Sequence, residues 1–210
     1  MRNLTTAFLA VAAMAIAAPG PGRAGDFNHY VLALSWTPGW CEREGAARSA
    51  PACAPGAGVG WGVHGLWPQN DDGSWPEYCS TSQRNPSRAE TAAQADLFGS
   101  GGSAWHQWNK HGRCSGLSAA DYFALTRQAA ALPDLPPLTG QPRIRPQTLQ
   151  AKILTRNPAF APKDMVITCS AGMIAEIRLC LTRDLTPRPC DAQLAARACR
   201  SRSVQIPPPR

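Results

Sequence analysis

Eight cysteines constrain this chain more than any other residue type: Cys41, Cys53, Cys79, Cys114, Cys169, Cys180, Cys190 and Cys199. The count is even, and no pair has the C-x-x-C spacing of a zinc ribbon or a redox motif. The N-terminus supplies the compartment. Arg2 gives a charged start, Leu4 to Ala18 is apolar but too short to cross a bilayer, and small residues follow. Residues 1–24 are therefore expected to be a secretory signal, cleaved between Ala17 and Ala24, with one domain over 25–210. In an exported chain these cysteines read as four disulfides, although spacing alone leaves their pairing open.

A length of 210 residues suits one core, and 44% apolar residues argue against disorder of the bulk. No later segment is long and apolar enough to span a membrane. Asp26 to Trp36 alternates Tyr30, Leu32, Leu34 and Trp36, a strand pattern that Pro38-Gly39 ends. Cys41 to Gly60 reads as loop, Gly60 to Pro68 as a short strand stopped by Pro68, and Asn70 to Gly73 as a turn. Ser87 to Phe98 reads as a helix with a serine cap, Gly99 to Ser103 as a glycine-rich break, and Trp105 to His111 as one to two helical turns ending at Gly112. Ser118 to Leu132 reads as a helix opened by a capping box with Asp121, and Pro146 to Arg156 as a further helix. Met165 to Cys169 and Met173 to Leu181 read as a strand pair turning at Ser170-Ala171-Gly172. The tail from Ile206 to Arg210 reads as a loose extended end. The expected class is α+β: a small, mostly antiparallel sheet packed with several helices and stabilised by disulfides.

The chemistry is concentrated. Three of four histidines fall in two short segments, Gly60-Trp-Gly-Val-His64-Gly-Leu-Trp67-Pro68 and Trp105-His106-Gln107-Trp-Asn-Lys110-His111-Gly-Arg-Cys114. The second also holds one of only three lysines, Lys110, the others being Lys152 and Lys163. On a helix, His106 and Lys110 share a face. RNA carries its own nucleophile, the 2′-hydroxyl. An enzyme acting on it needs a base for that proton, an acid for the leaving oxygen, and cations for the phosphorane. His64, His106, Gln107, Lys110 and His111 fit those roles. A zinc site fits less well, because His106 and His111 are five apart with no acid between them and Lys110 adjoins. No cofactor or metal is called for. Net charge is +7, and loss of Arg2 and Arg23 with the signal brings it to +5, which suits an anionic partner such as RNA.

These segments resemble the two signatures of the ribonuclease T2 family. Tyr30 to Cys41, Asp72 to Cys79, and Cys169 to Cys180 with Glu176-Ile177 resemble its first strand, its post-signature segment and its late strand pair. The resemblance covers roughly residues 26 to 200. It implies a metal-independent endoribonuclease that acts on single-stranded RNA through a 2′,3′-cyclic phosphate, and a monomer is expected. By position it makes His64 the proton donor to the leaving oxygen, His111 the proton acceptor, His106 a phosphate ligand and Lys110 the stabiliser of the pentacovalent state. Gln107 stands where the family usually has glutamate, so activity with a shifted pH optimum is expected. Trp67 and Trp75 match base-stacking positions, and Gln69 stands where some members have an aspartate that bonds adenine, so low base specificity is expected. Trp36, Trp40, Trp61, Trp105 and Trp108 read as mostly structural. The pairing implied is Cys41–Cys53, Cys79–Cys114, Cys169–Cys199 and Cys180–Cys190. The alternative is a catalytically silent secreted RNA- or glycan-binding module on the same scaffold. Composition rich in Ala, Arg and Pro suggests a bacterial source, and hence the periplasm or the medium.

Overall fold

The computed structural model describes residues 23–138 and 140–210. The expected signal segment falls, but for its last two residues, outside the described residues. The frame is a sheet of six strands: β1 (His29–Trp36), β2 (Trp61–Gln69), β3 (Arg143–Ile144), β4 (Met165–Ser170), β5 (Met173–Leu181) and β6 (Val204–Gln205). Its order is β2-β1-β5-β6-β3, with β4 on the free side of β5. All pairs are antiparallel except β5 with β6. The helices are α1 (Thr37–Trp40), α2 (Arg88–Ala92), α3 (Ala95–Phe98), α4 (Gly101–Lys110), α5 (Ala119–Ala130), α6 (Pro146–Arg156) and α7 (Ala192–Ala196). Strands and helices alike support the α+β class. Among the described residues no helix is long and apolar enough to cross a membrane.

The two faces of the sheet do different things. Tyr30, Leu32, Leu34 and Trp36 of β1 join Leu66, Ile177, Leu179 and Leu181 in the main core, under α5 and α6. Burying such side chains stabilises by about 1.5–3 kcal/mol each. Ser35 pairs with Glu176, Ala33 with Arg178 and Val31 with Cys180, so these residues share the opposite face. Val31 and Cys180 pack there with Val166 and Leu194 in a small second cluster. The rest of that face holds the polar site.

Several expected boundaries move, each for a local reason. Pro38 does not merely end β1: it lies in the first turn of α1, where a missing N–H costs nothing, and a π-helical turn at Cys41–Gly45 and a 3-10 turn at Pro51–Cys53 follow in the expected loop. β2 runs one residue past Pro68, which pairs with Tyr30 on an edge strand that needs no donor on its outer side. The helix expected over Ser87 to Phe98 is two, α2 with a full Ser87–Glu90 capping box and then α3. The glycine-rich break is shorter than expected, because the Ser100 hydroxyl accepts from Ser103 N–H and caps α4 at Gly101. In the Ser118 cap, the Asp121 carboxylate accepts from the serine hydroxyl at 2.6 Å and not from the Ser118 backbone N–H. The tail is not loose. β6 pairs with β3, Ile206 is buried, and the Trp36 indole N–H donates to the Pro207 carbonyl at 2.9 Å. A buried indole needs that acceptor.

Four disulfides close the fold: Cys41–Cys53, Cys79–Cys114, Cys169–Cys199 and Cys180–Cys190, with Cα atoms 5.0 to 5.4 Å apart.

Candidate active site

A cleft of about 200 Å³ opens on the polar face of the sheet. It brings together His64, Trp67, Gln69, Trp75, His106, Gln107, Lys110 and His111. Each arrives by a separate local device.

His64 is aimed by a β-bulge. The β1–β2 register pairs Ala33 with Gly65 and Leu34 with Val63, leaving His64 as the extra residue. Strict alternation from buried Leu66 would point His64 into the core. The inserted residue reverses that parity and turns it to the cleft, where it is exposed. Its Nδ1 meets Glu176 Oε1 at 2.5 Å. A carboxylate only accepts, so Nδ1 carries the proton and Nε2 is left for the cleft. Glu176 is itself held from three sides. Ser35 Oγ donates to Oε1 at 3.2 Å, and Arg178 donates to Oε2 from Nε at 2.9 Å and from a terminal nitrogen at 2.7 Å. Burial alone would raise the Glu176 carboxyl, but the hydrogen bond and charge of His64 and the charge of Arg178 outweigh it and hold it at about 2.

α4 supplies the rest. His106 and Lys110 stand one turn apart on its open side, as the spacing predicts, while Trp108 is buried and its indole donates to Asn85 Oδ1 at 3.0 Å. Gln107 is only 3% exposed. Trp67 Nε1 donates to Gln107 Oε1 at 3.1 Å. An indole is a donor only, so this contact fixes the amide and leaves its NH₂ as the free end. Gly65 makes room for it: a Cβ there would collide with Gln107 and with the Trp67 indole. His111 closes the helix as its C-terminal cap, 7% exposed, with Nδ1 lacking a partner among the described residues. Burial first, then the charges of Lys110, His64 and His106, push its imidazole down to about 3. His106 is lowered by burial, Lys110 and His64 in that order.

Trp67 sits between these groups. His111 stacks on its ring at 5.3 Å between centroids, His64 meets it edge-on at 5.0 Å, and the Arg178 guanidinium lies 5.2 Å from its centroid. Its ring is thus engaged by two imidazoles and a guanidinium. Trp75 is 43% exposed at the cleft, with the Arg197 guanidinium 5.6 Å from its ring centroid. Gln69 is buried at the cleft wall. The loop carrying Trp75 is tied to α4: Cys79–Cys114 links them, Tyr78 N–H donates to the Lys110 carbonyl at 2.9 Å, and Lys110 Nζ lies 3.4 Å from Glu77. Of the tryptophans read as structural, Trp36 and Trp108 are fully buried, whereas Trp105 is 41% exposed on the outer side of α4.

Glu176 and Arg178, Gln193 of α7 and Arg197 at the C-terminal cap of α7 also line or support the cleft and were not singled out from sequence as site residues. A glutamate and an arginine two apart in the otherwise apolar run Met173 to Leu181 are the signal that could have marked the first pair. Among the described residues no group of three His, Cys, Asp or Glu side chains is placed to hold a metal ion.

Comparison with known proteins sets this geometry in a family. The chain is 38% identical to a ribonuclease of Aeromonas hydrophila over 104 residues, 50% of this chain and 45% of that protein. The chain spans about half the length of the curated relatives that it matches at this level. Its fold is similar to that of an RNase-related protein from Calystegia sepium, with a TM-score of 0.70, 17% identity and coverage of 88% of this chain and 98% of that one. It is also similar to RNase NT in complex with 5′-AMP, with a TM-score of 0.63, 20% identity and coverage of 87% and 99%. The model of the ribonuclease T2 family matches residues 27–190, and the chain belongs to that family.

Proposed function

We propose that this protein is an exported endoribonuclease that cleaves single-stranded RNA without a metal, through a 2′,3′-cyclic phosphate to 3′-phosphate ends. One observation carries the reading. Two imidazoles flank a single indole, one bonded to an ionised carboxylate and the other buried among cations. Those are the surroundings of an acid and of a base.

His111, kept neutral, takes the 2′-hydroxyl proton as O2′ attacks phosphorus. His64 gives its Nε2 proton to the departing 5′-oxygen, and the carboxylate of Glu176 balances the charge of the imidazolium that gives it. Lys110, His106 and the Gln107 NH₂ meet the charge that builds on the phosphorane, the largest stabilising effect in such reactions. In the second step water enters, and the two histidines exchange roles. Stacking on Trp75 contributes about 1–3 kcal/mol and accepts any base, which supports cleavage at all four. Four disulfides support the periplasm or the medium as its compartment; residues 25–210 would be the mature domain, working as a monomer.

The test is purified protein with single-stranded RNA and EDTA, reading cyclic-phosphate ends. Cleavage that persists in EDTA and is lost, by about 10²-fold or more, in His64→Ala and in His111→Ala is expected. No cleavage between pH 4 and 8 would instead mark a silent binding module, and inhibition by EDTA a metal-dependent hydrolase.

A further inference from the structure

The helix α7 lies beyond the segment that the family model matches, yet it lines the same cleft as His64 and His111. Two disulfides bracket it, Cys180–Cys190 before and Cys169–Cys199 after. Asp191 caps it through Leu194 N–H at 2.8 Å, and Leu194 packs on the sheet with Val31 and Val166. This short helix is therefore fixed at the base end of the cleft.

Two of its side chains meet the loop after β2. Gln193 Nε2 donates to the Asp72 carbonyl at 2.8 Å, and its stem fills the space over Gly73, where a Cβ would collide with it. The positive φ of Gly73, +81°, and this close approach both require glycine. The guanidinium of Arg197 lies 5.6 Å from the Trp75 ring centroid, a cation–π contact.

We infer that α7 makes the cleft prefer guanine over adenine. With one Nε2 hydrogen of Gln193 donated to Asp72, its Oε1 stays free as an acceptor. Arg197 offers a planar fork of donors and no acceptor. Guanine presents two adjacent acceptors, O6 and N7, beside the donors of its N1 and N2. Adenine sets a donor amino group next to N7. The fork of Arg197 matches the first edge and opposes the second, while Trp75 stacks either base. The inference rests on the reading of the cleft as an RNA-cleaving site, and it turns broad cleavage into cleavage with a bias.

The experiment compares initial rates on the dinucleotides GpA, ApG and ApA for the wild type, Arg197→Ala and Gln193→Ala, with calorimetric binding of 5′-GMP and 5′-AMP to each. Both side chains are exposed, so the substitutions leave the core intact. The wild type is expected to cleave GpA or ApG faster than ApA, and the position of guanine in the faster one assigns the side of the scissile bond. Arg197→Ala should cut that advantage on the order of tenfold, Gln193→Ala should also reduce it, and the 5′-GMP to 5′-AMP affinity ratio should fall in parallel. Ratios unchanged in Arg197→Ala would overturn the role of α7 while leaving the ribonuclease reading standing. Failure of the wild type to cleave any dinucleotide would overturn the ribonuclease reading, and the affinity ratios alone would then decide the role of α7.

Discussion

Gln107 stands where the family resemblance leads one to expect a glutamate, and its contacts make the consequence testable. The amide oxygen accepts from Trp67. A glutamate in the same place has the same shape and can accept the same bond, so Gln107→Glu changes charge and little else. The new carboxylate would lie in a cleft it shares with His111, His106 and His64. It would favour the protonated form of a base now held down at about 3 by burial and cationic neighbours. The acidic limb of kcat/KM, which reports the base of the free enzyme, is therefore expected to move to higher pH, by on the order of one unit. A pH–rate profile that superimposes on the wild type would refute the link between position 107 and the base. At this scale the sequence was legible where chemistry is local: His64, His106, Lys110 and His111 could be picked out because rare side chains cluster in short segments. What no pattern of residues in line discloses is the partner of His64. Glu176 lies on another strand, 112 positions away. Its meeting with His64 depends on sheet register and on a bulge that reverses the side-chain parity at that one residue.

Elements carry the next level of control. α4 and its cap bring the lysine and two histidines, and the loop after β2 brings Trp75; the Cys79–Cys114 bond and the Tyr78-to-Lys110 hydrogen bond join them. Removing the disulfide as Cys79→Ser/Cys114→Ser is expected to cost about 2–4 kcal/mol of stability. Activity should fall further than the unfolded fraction explains, because the loop then moves relative to α4. Equilibrium unfolding and kcat/KM measured on the same samples would check this, and full activity in the doubly substituted protein would count against it. Elements with their own periodicity and caps, such as β1, α5, α6 and the β4–β5 pair, were readable in advance. The hairpin between the last two turns on Ala171-Gly172, both at positive φ, as a two-residue loop of type I′ requires. α7 and β6 were not readable. Each is short, and each exists because distant parts hold it: two disulfides for α7, and pairing with β3 and β5 for β6. Local propensity decides little in pieces of that length.

Over the whole molecule, the burial and cationic neighbours that suit His111 to the proposed role of base also make the fold sensitive to acid. His111 is neutral in the folded state down to about 3, against 6.5 for a free histidine. His29, wholly buried, is lowered in the same direction by burial and then by Arg188. Between these limits the unfolded chain binds protons that the folded chain refuses, so stability must fall as pH drops below about 6.5. Glu176 adds a second loss. Its carboxyl is held at about 2, against 4.5 when free, so the stability it contributes is present above 4.5 and disappears as pH falls toward 2. The two effects act in sequence, histidines first. His111→Asn removes the first titration while keeping a small polar side chain at the cleft wall. Urea unfolding at pH 7 and pH 4 is expected to show a smaller loss in His111→Asn than in the wild type, by on the order of a few kcal/mol. Equal losses in the two proteins would mean that His29 and the carboxylates carry the acid sensitivity. A smaller loss in the variant would show that the fold gives up acid stability to keep the His111 imidazole neutral in a cationic cleft, the state that the proposed role of His111 as base requires.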